Sequence, residues 1–289
     1  MALTTRRGAV STLAAALAGA IAAPAYAQAA SRTERGDDGP RPLRQAHAHN
    51  DYLHPRPLLD ALSHGFTSVE ADVFLVDGEL LVAHEATELD PARTLRGLYL
   101  DPLLARVRAN HGSVYRGYHR PVQLLIDIKA DGAAAYEELH RQLTRYRSML
   151  SRYTEGKVRA GAVTPVISGD RAARAPMEAQ RVRYAFYDGR LDDLGTAAPA
   201  SFVPLISGNW TQSFSWQGVG AFPAAESAEL RRIVDAAHSH GQRVRFWSTP
   251  DLPGPARDAV WTELLAAGVD HLNTDDLAGL ERFLRQHRP

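Results

Sequence analysis

The feature that most constrains the fold of this chain is a regular alternation of short apolar segments with longer helical segments. Apolar and β-branched runs predict eight strands, at 43–49, 66–75, 122–128, 162–168, 183–187, 202–207, 243–247 and 269–273. Helical patterns lie between most of them, at 57–63, 103–110, 133–152, 228–240, 256–267 and 277–286. Such alternation is typical of α/β proteins with a parallel sheet. Eight strands within about 245 residues favour a closed (β/α)8 TIM-type barrel over an open sheet.

The ends of several helices carry recognisable signals. Glycines follow three of the helical patterns where glycine commonly ends a helix, namely Gly65, Gly241 and Gly268. Ser227 and Asp276 are predicted N-caps. The crossover at 189–201 is expected to be irregular because it is rich in Gly, Ala and Pro. No repeat or linker interrupts the chain after residue 42, so 43–289 is predicted to be one domain.

Residues 1–27 have the order of an export signal. Two adjacent arginines precede an apolar stretch at 10–23 and an Ala-x-Ala cleavage site at 25–27, and the arginine pair favours the twin-arginine route. The apolar stretch is shorter than the ~18 residues that a membrane span needs. We therefore expect a secreted or periplasmic protein whose mature form has no transmembrane segment. The charged, Gly- and Pro-containing segment 28–42 is predicted to be a disordered lead-in.

Composition excludes several classes of chemistry. The 289 residues include no cysteine, which rules out a disulfide framework, a cysteine nucleophile, a zinc ribbon and an iron–sulfur centre. Lysine and arginine together number 33, as do aspartate and glutamate, so the formal net charge is zero. Nothing in the global charge therefore favours nucleic acid as a partner.

Three of the predicted strands end in pairs of ionisable side chains at a spacing of two. The pairs are His47 and His49, Glu70 and Asp72, and Asp127 and Lys129. Residues i and i+2 of a strand point to the same face, and burying such charges is costly unless they pair or bind a metal. TIM barrels carry their catalytic residues at the carboxyl ends of the strands. The three pairs therefore mark a candidate active site.

A hairpin is predicted directly after the second strand. The Asp-Gly pair at 77–78 favours a tight turn, and the extended segment that follows carries His84. A chain that reverses at this turn runs back along its own strand. We therefore expect His84 to lie beside Glu70 and Asp72.

These residues allow two interpretations. In the functional one, the three carboxylates bind one hard divalent cation, Mg²⁺ or Ca²⁺, with room left for water and a substrate phosphate. Lys129 then reaches a phosphoryl oxygen, and His47 and His84 act as base and acid, because imidazole titrates nearest to the working pH. In the structural interpretation, the lysine and the carboxylates form only a salt-bridge network.

Four motifs are more specific than single residues. They read HAHNDY at 47–52, SVEADVFLVDGELLVAHE at 68–85, LIDIK at 125–129 and GVDHLNTDD at 268–276. In these motifs the chain resembles the PI-PLC-like phosphodiesterase superfamily, above all the group typified by altered inheritance of mitochondria protein 6. It is similar more distantly to glycerophosphodiester phosphodiesterases and to spider-toxin sphingomyelinase D.

The resemblance implies a TIM-type barrel, one divalent cation and cleavage of a small-molecule or lipid phosphodiester by two histidines. The bond cleaved is a P–O bond of the glycerophosphodiester or phospholipid type, broken by hydrolysis or with release of a cyclic phosphate. Matched position by position, the catalytic residues are His47, His84 and Lys129, and the metal ligands are Glu70, Asp72 and Asp127.

The chain also departs from these relatives. Glycerophosphodiester phosphodiesterases read H-R-G at the first motif and P-E-N-T before the first helix, whereas this chain reads HAH at 47–49 and PRPL at 55–58. The resemblance therefore does not imply that the substrate has a glycerol headgroup. Sphingomyelinase D has an asparagine three residues after its first histidine, as this chain does. The candidate substrate-binding residues are His49, Asn50, Arg245 and Trp247.

Two further functions are compatible with the same motifs. A binuclear metallohydrolase of the amidohydrolase type also opens with H-x-H, but it needs histidines on the middle strands, and none lies between His140 and His238. A catalytically inactive secreted binding protein on the same barrel is the other alternative. The complete set of matched site residues argues against it.

Overall fold

The structure is a computed structural model, and it describes residues 39–287. The strands are β1 (Leu43–Ala48), β2 (Phe66–Val76), β3 (Glu79–Val82), β4 (Val122–Ile128), β5 (Arg152–Thr154), β6 (Lys157–Arg159), β7 (Val163–Gly169), β8 (Val182–Arg183), β9 (Phe186–Arg190), β10 (Leu205–Asn209), β11 (Arg243–Trp247) and β12 (His271–Thr274). The helices are α1 (Leu59–Ser63), α2 (Asp101–Ala109), α3 (Gly132–Arg145), α4 (Arg174–Glu178), α5 (Trp210–Ser213), α6 (Ala224–Ser239), α7 (Pro255–Ala267) and α8 (Leu277–Gln286).

Eight parallel strands close into a barrel. Their order is β1-β2-β4-β7-β9-β10-β11-β12, and β1 also pairs with β12, which completes the ring. The short strands β5, β6 and β8 form a separate antiparallel sheet. The predicted TIM-type barrel is therefore confirmed. Closure leaves no unpaired edge in the main sheet.

Every second strand residue points into the barrel and fills it in layers. A buried apolar layer comes from four adjacent strands and consists of Leu125, Val166, Phe186 and Leu205. Two residues further along the same strands lies a polar layer, made of Asp127, Ser168, Asp188 and Ser207. Because the strands are parallel, this polar layer faces the carboxyl end of the barrel. The alternation of residues along these strands thus places an apolar layer inside the barrel and a polar layer nearer to its carboxyl end.

Helix α8 shows how the outer layer is attached. Its apolar face buries Leu277, Leu280, Phe283 and Leu284, and burying each such side chain stabilises the fold by roughly 1.5–3 kcal/mol. The carboxylate of Asp276 accepts a hydrogen bond from the Gly279 N–H at 2.9 Å, so the predicted N-cap is confirmed. Removing such a cap typically costs about 1 kcal/mol.

The predicted hairpin between β2 and β3 is also confirmed. Asp77 and Gly78 have φ values of 48° and 79°, as a two-residue turn with a left-handed backbone requires. Strand β3 pairs antiparallel with β2, from Val76 opposite Glu79 to Val73 opposite Val82. The chain therefore returns along β2 toward the carboxyl end of the barrel.

Some predicted bounds were wrong. The strands predicted at 183–187 and 202–207 begin later, at Phe186 and Leu205. The reason for the first shift is that Arg183 pairs with the small sheet through Tyr153 instead. The long helix predicted at 133–152 ends at Arg145, before β5. Ser227 does not cap α6, which already begins at Ala224, directly after Pro223.

The expected irregular crossover is confirmed. Within 189–201, only a single 3₁₀ turn at Leu191–Asp193 is helical. The predicted signal segment 1–27 and residues 28–38 of the predicted lead-in lie outside the described residues. None of the helices within 39–287 combines the length and apolar character needed to cross a bilayer.

Candidate active site

The predicted site residues meet at the carboxyl end of the barrel, on neighbouring strands. In the pairing of β2 with β4, Asp72 lies opposite Asp127, and in the pairing of β1 with β2, His47 lies opposite Ser68. Glu70 lies one layer below Asp72 on the same face of β2. The register therefore brings the first three motifs together.

Asp72 is the centre of this site. Its Oδ2 atom lies 2.8 Å from Lys129 Nζ, 2.7 Å from Tyr52 Oη and 3.0 Å from His84 Nδ1. Its Oδ1 atom is buried and has no hydrogen-bond partner among the residues that the structure describes. One oxygen of a buried carboxylate is thus heavily used, while the other is left available for a ligand.

Tyr52 is a further residue of this site that was not predicted from the sequence. Its hydroxyl also lies 2.7 Å from Asn50 Oδ1 and 2.9 Å from His84 Nδ1. Burial and the charge of Asp72 raise its pKa, so the phenol stays protonated and can donate a hydrogen bond. The signal that could have found it is its place in the motif at 47–52, directly after a site strand.

His84 is the more accessible of the two predicted catalytic histidines. The hairpin brings it beside Asp72, as predicted, and 49% of its side chain is exposed. The contacts of Nδ1 with Asp72 and Tyr52 fix the orientation of the imidazole ring. Its Nε2 lies 3.8 Å from the exposed Glu85, where a substrate can approach.

His47 is fully buried. Its Nδ1 lies 2.7 Å from Ser68 Oγ, and its Nε2 lies 3.0 Å from Glu70 Oε2 and 2.8 Å from Arg245 Nη1. Burial, followed by the charge of Arg245, lowers the pKa of His47 to about 4. The ring is therefore neutral at neutral pH and can accept a proton.

Glu70 and Arg245 form a buried ion pair of 2.6 Å beside His47. Burial alone would raise the pKa of Glu70, but the Arg245 charge and the His47 contact outweigh it and lower that pKa. Arg245 was predicted as a substrate contact. The structure places its guanidinium inside the barrel, where it contacts Glu70, His47 and Asn273.

The other predicted substrate-binding residues lie at the rim of the site. His49 Nδ1 is 2.9 Å from Asp275 Oδ1, and Asn50 Nδ2 donates to the same oxygen at 3.3 Å. Burial lowers the pKa of His49, but the hydrogen bond and charge of Asp275, together with Glu70, raise it overall. Trp247 is partly exposed at the end of β11.

A second polar cluster, which the sequence patterns did not indicate, lies on the opposite wall of the barrel. Asp188 is fully buried and accepts hydrogen bonds from Ser168 Oγ at 2.8 Å, Ser207 Oγ at 2.7 Å and Arg190 Nη1 at 2.7 Å. Asp188 and Arg190 have the same spacing of two as the three predicted pairs. They were overlooked because that strand was expected to end at residue 187.

The residues present fit a hard cation in their chemistry. Burial raises the pKa of Asp127 to about 6, and the charges of Glu70 and Asp72 add to this effect while Lys129 opposes it. Asp72 Oδ1 is available, as described above. Gly169 packs directly against this strand end, because a Cβ there would lie 2.6 Å from Asp127 Oδ1 and 2.2 Å from the Ile128 carbonyl oxygen. Within residues 39–287, however, no three His, Asp or Glu side chains are already placed as a ligand set.

Comparison with known proteins agrees with the motifs. The model of the AIM6-like phosphodiesterase domain matches residues 41–188, and that of the glycerophosphoryl diester phosphodiesterase family matches residues 243–278. Altered inheritance of mitochondria protein 6 from Eremothecium gossypii is 30% identical over 278 residues, which cover 83% of this chain and 69% of that protein. The homolog from Arthroderma benhamiae is 29% identical over 255 residues, which cover 80% and 81%.

A solved structure is also similar. Glycerophosphodiester phosphodiesterase from Thermotoga maritima shares 14% identity with a TM-score of 0.44, over 84% of this chain and 97% of that chain. The closed parallel barrel and the family matches together define a TIM-barrel protein of the glycerophosphodiesterase and PI-PLC-like superfamily. Within it, the chain belongs to the AIM6-like phosphodiesterase domain family.

Proposed function

We propose that this chain is an exported, metal-dependent phosphodiesterase that cleaves a P–O bond of a glycerophosphodiester or phospholipid. The observation that carries the proposal is the surroundings of Asp72. A cation (Lys129), a phenol (Tyr52) and a partly exposed imidazole (His84) converge on one of its oxygens, and its other oxygen is buried without a partner. A salt bridge serving only stability would not require this arrangement.

The side chains divide the chemical tasks among them. Cleavage of a phosphodiester needs a base for the attacking oxygen, an acid for the leaving oxygen, and positive charge on the phosphoryl group. We assign His47 and His84 to the acid and base roles, without choosing which is which. Lys129 supplies a fixed positive charge. Glu70, Asp72 and Asp127 would hold the divalent cation, which when bound polarises the phosphoryl oxygens.

The neighbours of the two histidines support these roles. Asp72 and Tyr52 orient His84 through Nδ1, and Ser68 and Glu70 orient His47. His47 is fully buried, so we infer that its use involves an opening of the adjacent Glu70–Arg245 pair. The same opening would release Glu70 as a ligand.

A lipid is the substrate class that the rim of the site favours. Large exposed apolar side chains lie on loops that follow three barrel strands at the carboxyl end, namely Leu53 after β1, Val219 after β10 and Leu252 after β11. Their exposed fractions are 66%, 78% and 86%. Exposed apolar side chains around a catalytic face are suited to contact with acyl chains or a membrane surface.

The test is a ³¹P NMR screen of the mature protein against glycerophosphodiesters, lysophospholipids and phospholipids, with Mg²⁺, with Ca²⁺ and with a chelator. We expect a new phosphomonoester or cyclic phosphate signal that disappears on chelation and in His84→Ala. Failure of every phosphodiester to react with either cation would instead favour the inactive binding protein. Turnover that survives chelation would refute the metal requirement alone.

A further inference from the structure

A cavity lies at the opposite end of the barrel from the candidate active site. Its volume is about 890 Å³, within the ~300–1,000 Å³ range of small-molecule sites. Lining residues include Leu43, Gln123, Thr164 and Val269, which lie within two residues of the starts of parallel barrel strands. The cavity therefore opens at the amino end, and none of the proposed catalytic residues lines it.

The lining of this cavity is strongly cationic. Among the residues that the structure describes, its lining arginines are Arg41, Arg44, Arg120 and Arg243, and Asp270 is the one lining carboxylate. Asp270 already accepts a hydrogen bond from the Val244 N–H at 2.9 Å and lies 2.8 Å from His238 Nε2. Four guanidinium charges thus share one carboxylate whose Oδ2 is already in use.

Arg243 hydrogen-bonds to two neutral side chains. Its Nη2 donates to Gln123 Oε1 at 2.7 Å, and its Nη1 donates to His271 Nε2 at 3.0 Å. Both partners are neutral, because burial, followed by the charge of Arg243, lowers the pKa of His271 well below its usual value. Across residues 39–287, no carboxylate oxygen lies within ion-pair distance of this guanidinium.

His271 adds a second donor without a partner. A guanidinium only donates hydrogen bonds, so Nε2 of His271 must be the acceptor and Nδ1 must carry the proton. This Nδ1 is buried and has no hydrogen-bond partner in the described part of the chain. A buried N–H donor beside an unneutralised guanidinium is costly unless an acceptor or an anion occupies the space.

We propose that this cavity is a binding site for a small molecule that carries a phosphate group, separate from the catalytic end of the barrel. The planar guanidinium fork matches phosphate oxygens two at a time, and charged hydrogen bonds of this kind are among the strongest in proteins. Arg243 forms the floor of the site. Arg44 and Arg120 are exposed and form its rim, free to close on the ligand.

The experiment is isothermal titration calorimetry of the mature protein with pyrophosphate, inorganic phosphate and glycerol 3-phosphate. The buffer contains no divalent cations and has about 0.15 M salt, which screens weak electrostatic attraction at the protein surface. We expect one equivalent of pyrophosphate to bind. Binding should persist in Lys129→Gln, which removes the positive charge beside Asp72 at the other end of the barrel. Comparing the two other probes shows whether free phosphate or an organic phosphate is preferred.

Matched variants decide the location of the site. The double variant Arg44→Gln/Arg120→Gln changes only exposed side chains and should weaken binding at least 10-fold, as should Arg243→Gln. Arg108→Gln, an exposed arginine of α2, should leave affinity unchanged. The proposal is overturned if wild type binds none of the three anions, if Lys129→Gln abolishes binding, or if the rim variant binds as tightly as wild type. None of these outcomes depends on phosphodiesterase activity.

Discussion

Lys129 Nζ lies 2.8 Å from one oxygen of Asp72, whose other oxygen is buried without a partner in the described residues. A buried acceptor without a hydrogen-bond donor costs about 1–3 kcal/mol. Neutralising the lysine does not require this cost, because it uses only the first oxygen of Asp72. A divalent cation bound at the second oxygen would satisfy it.

Asp72→Asn should lower both the affinity for the divalent cation and the catalytic rate. The amide keeps the size of the side chain but loses the charge that a hard cation requires. We expect a loss of at least about 10-fold in Mg²⁺ or Ca²⁺ affinity, measured by calorimetry, with a parallel loss of turnover. Asp192→Asn, at an exposed position of the irregular crossover, is the control. Unchanged metal affinity in Asp72→Asn would refute the ligand assignment.

His47→Ala and His84→Ala should each lower kcat by about 10²-fold or more, because general acid–base catalysis typically contributes 10² to 10⁴. His49→Ala should cost clearly less, although His49 is the more exposed member of its pair and contacts Asp275. Steady-state kinetics on the best substrate measure all three, with exposed His111→Ala as the control. An essential His49 together with a dispensable His47 would mean that the first motif is aligned two residues out of place.

Asp51 should make folding stability depend on pH. It accepts hydrogen bonds from the Leu58 N–H and the Tyr99 hydroxyl, and burial raises its pKa to about 7. The folded state therefore binds this proton more tightly than the unfolded state, whose aspartate titrates near pH 4. The contribution is fully present below pH 4 and is lost as the pH rises toward 7, at up to about 1.4 kcal/mol per pH unit.

The measurement is the free energy of unfolding in urea at pH 5 and pH 7.5, for wild type and Asp51→Asn. Asparagine keeps an acceptor oxygen for both donors and does not titrate. We expect wild type to lose more stability than the variant between the two pH values. Equal losses would show that Asp51 is ionised in the folded protein at both pH values.

Leu252→Ser should weaken activity on phospholipid vesicles several-fold and leave activity on a soluble glycerophosphodiester or short-chain substrate unchanged. The reason is that 86% of Leu252 is exposed at the catalytic end, where its apolar surface would enter a lipid interface. Val158→Ser, which changes an exposed apolar residue of the small sheet, is the matched control. Equal effects on both kinds of substrate would argue against interfacial binding.

The export signal predicts that the mature protein begins near Gln28 and is found outside the cytoplasm. N-terminal sequencing of the native protein from cell fractions tests this. Replacing Arg6 and Arg7 by lysine should block export by the twin-arginine route but not by the general route, because both pathways need a positive segment and only the former reads the arginine pair. A cytoplasmic protein that still begins within residues 1–10 would contradict the prediction.

Local patterns were sufficient to predict the barrel and most of the candidate site at its carboxyl end. A strand or helix is specified by periodicity over a few neighbouring residues, so the parallel barrel, the Asp276 cap and the hairpin at 77–78 could be identified in advance. The position of His84 beside Asp72 followed from the hairpin, since the two residues are only twelve apart. The closely spaced pairs at the ends of β1, β2 and β4 were visible for the same reason.

What the sequence could not determine is which side chains face each other across the barrel. The pairing of Glu70 with Arg245 joins residues 175 positions apart, and that of His49 with Asp275 joins residues 226 positions apart. Both contacts exist only because β12 closes the ring against β1. The same closure encloses the guanidinium of Arg245, which the sequence alone suggested as a substrate contact, and shapes the arginine-lined cavity at the other end. Sequence periodicity thus determined the elements and their inward faces, whereas the geometry of closure decided which charges are neutralised and which remain available to a ligand.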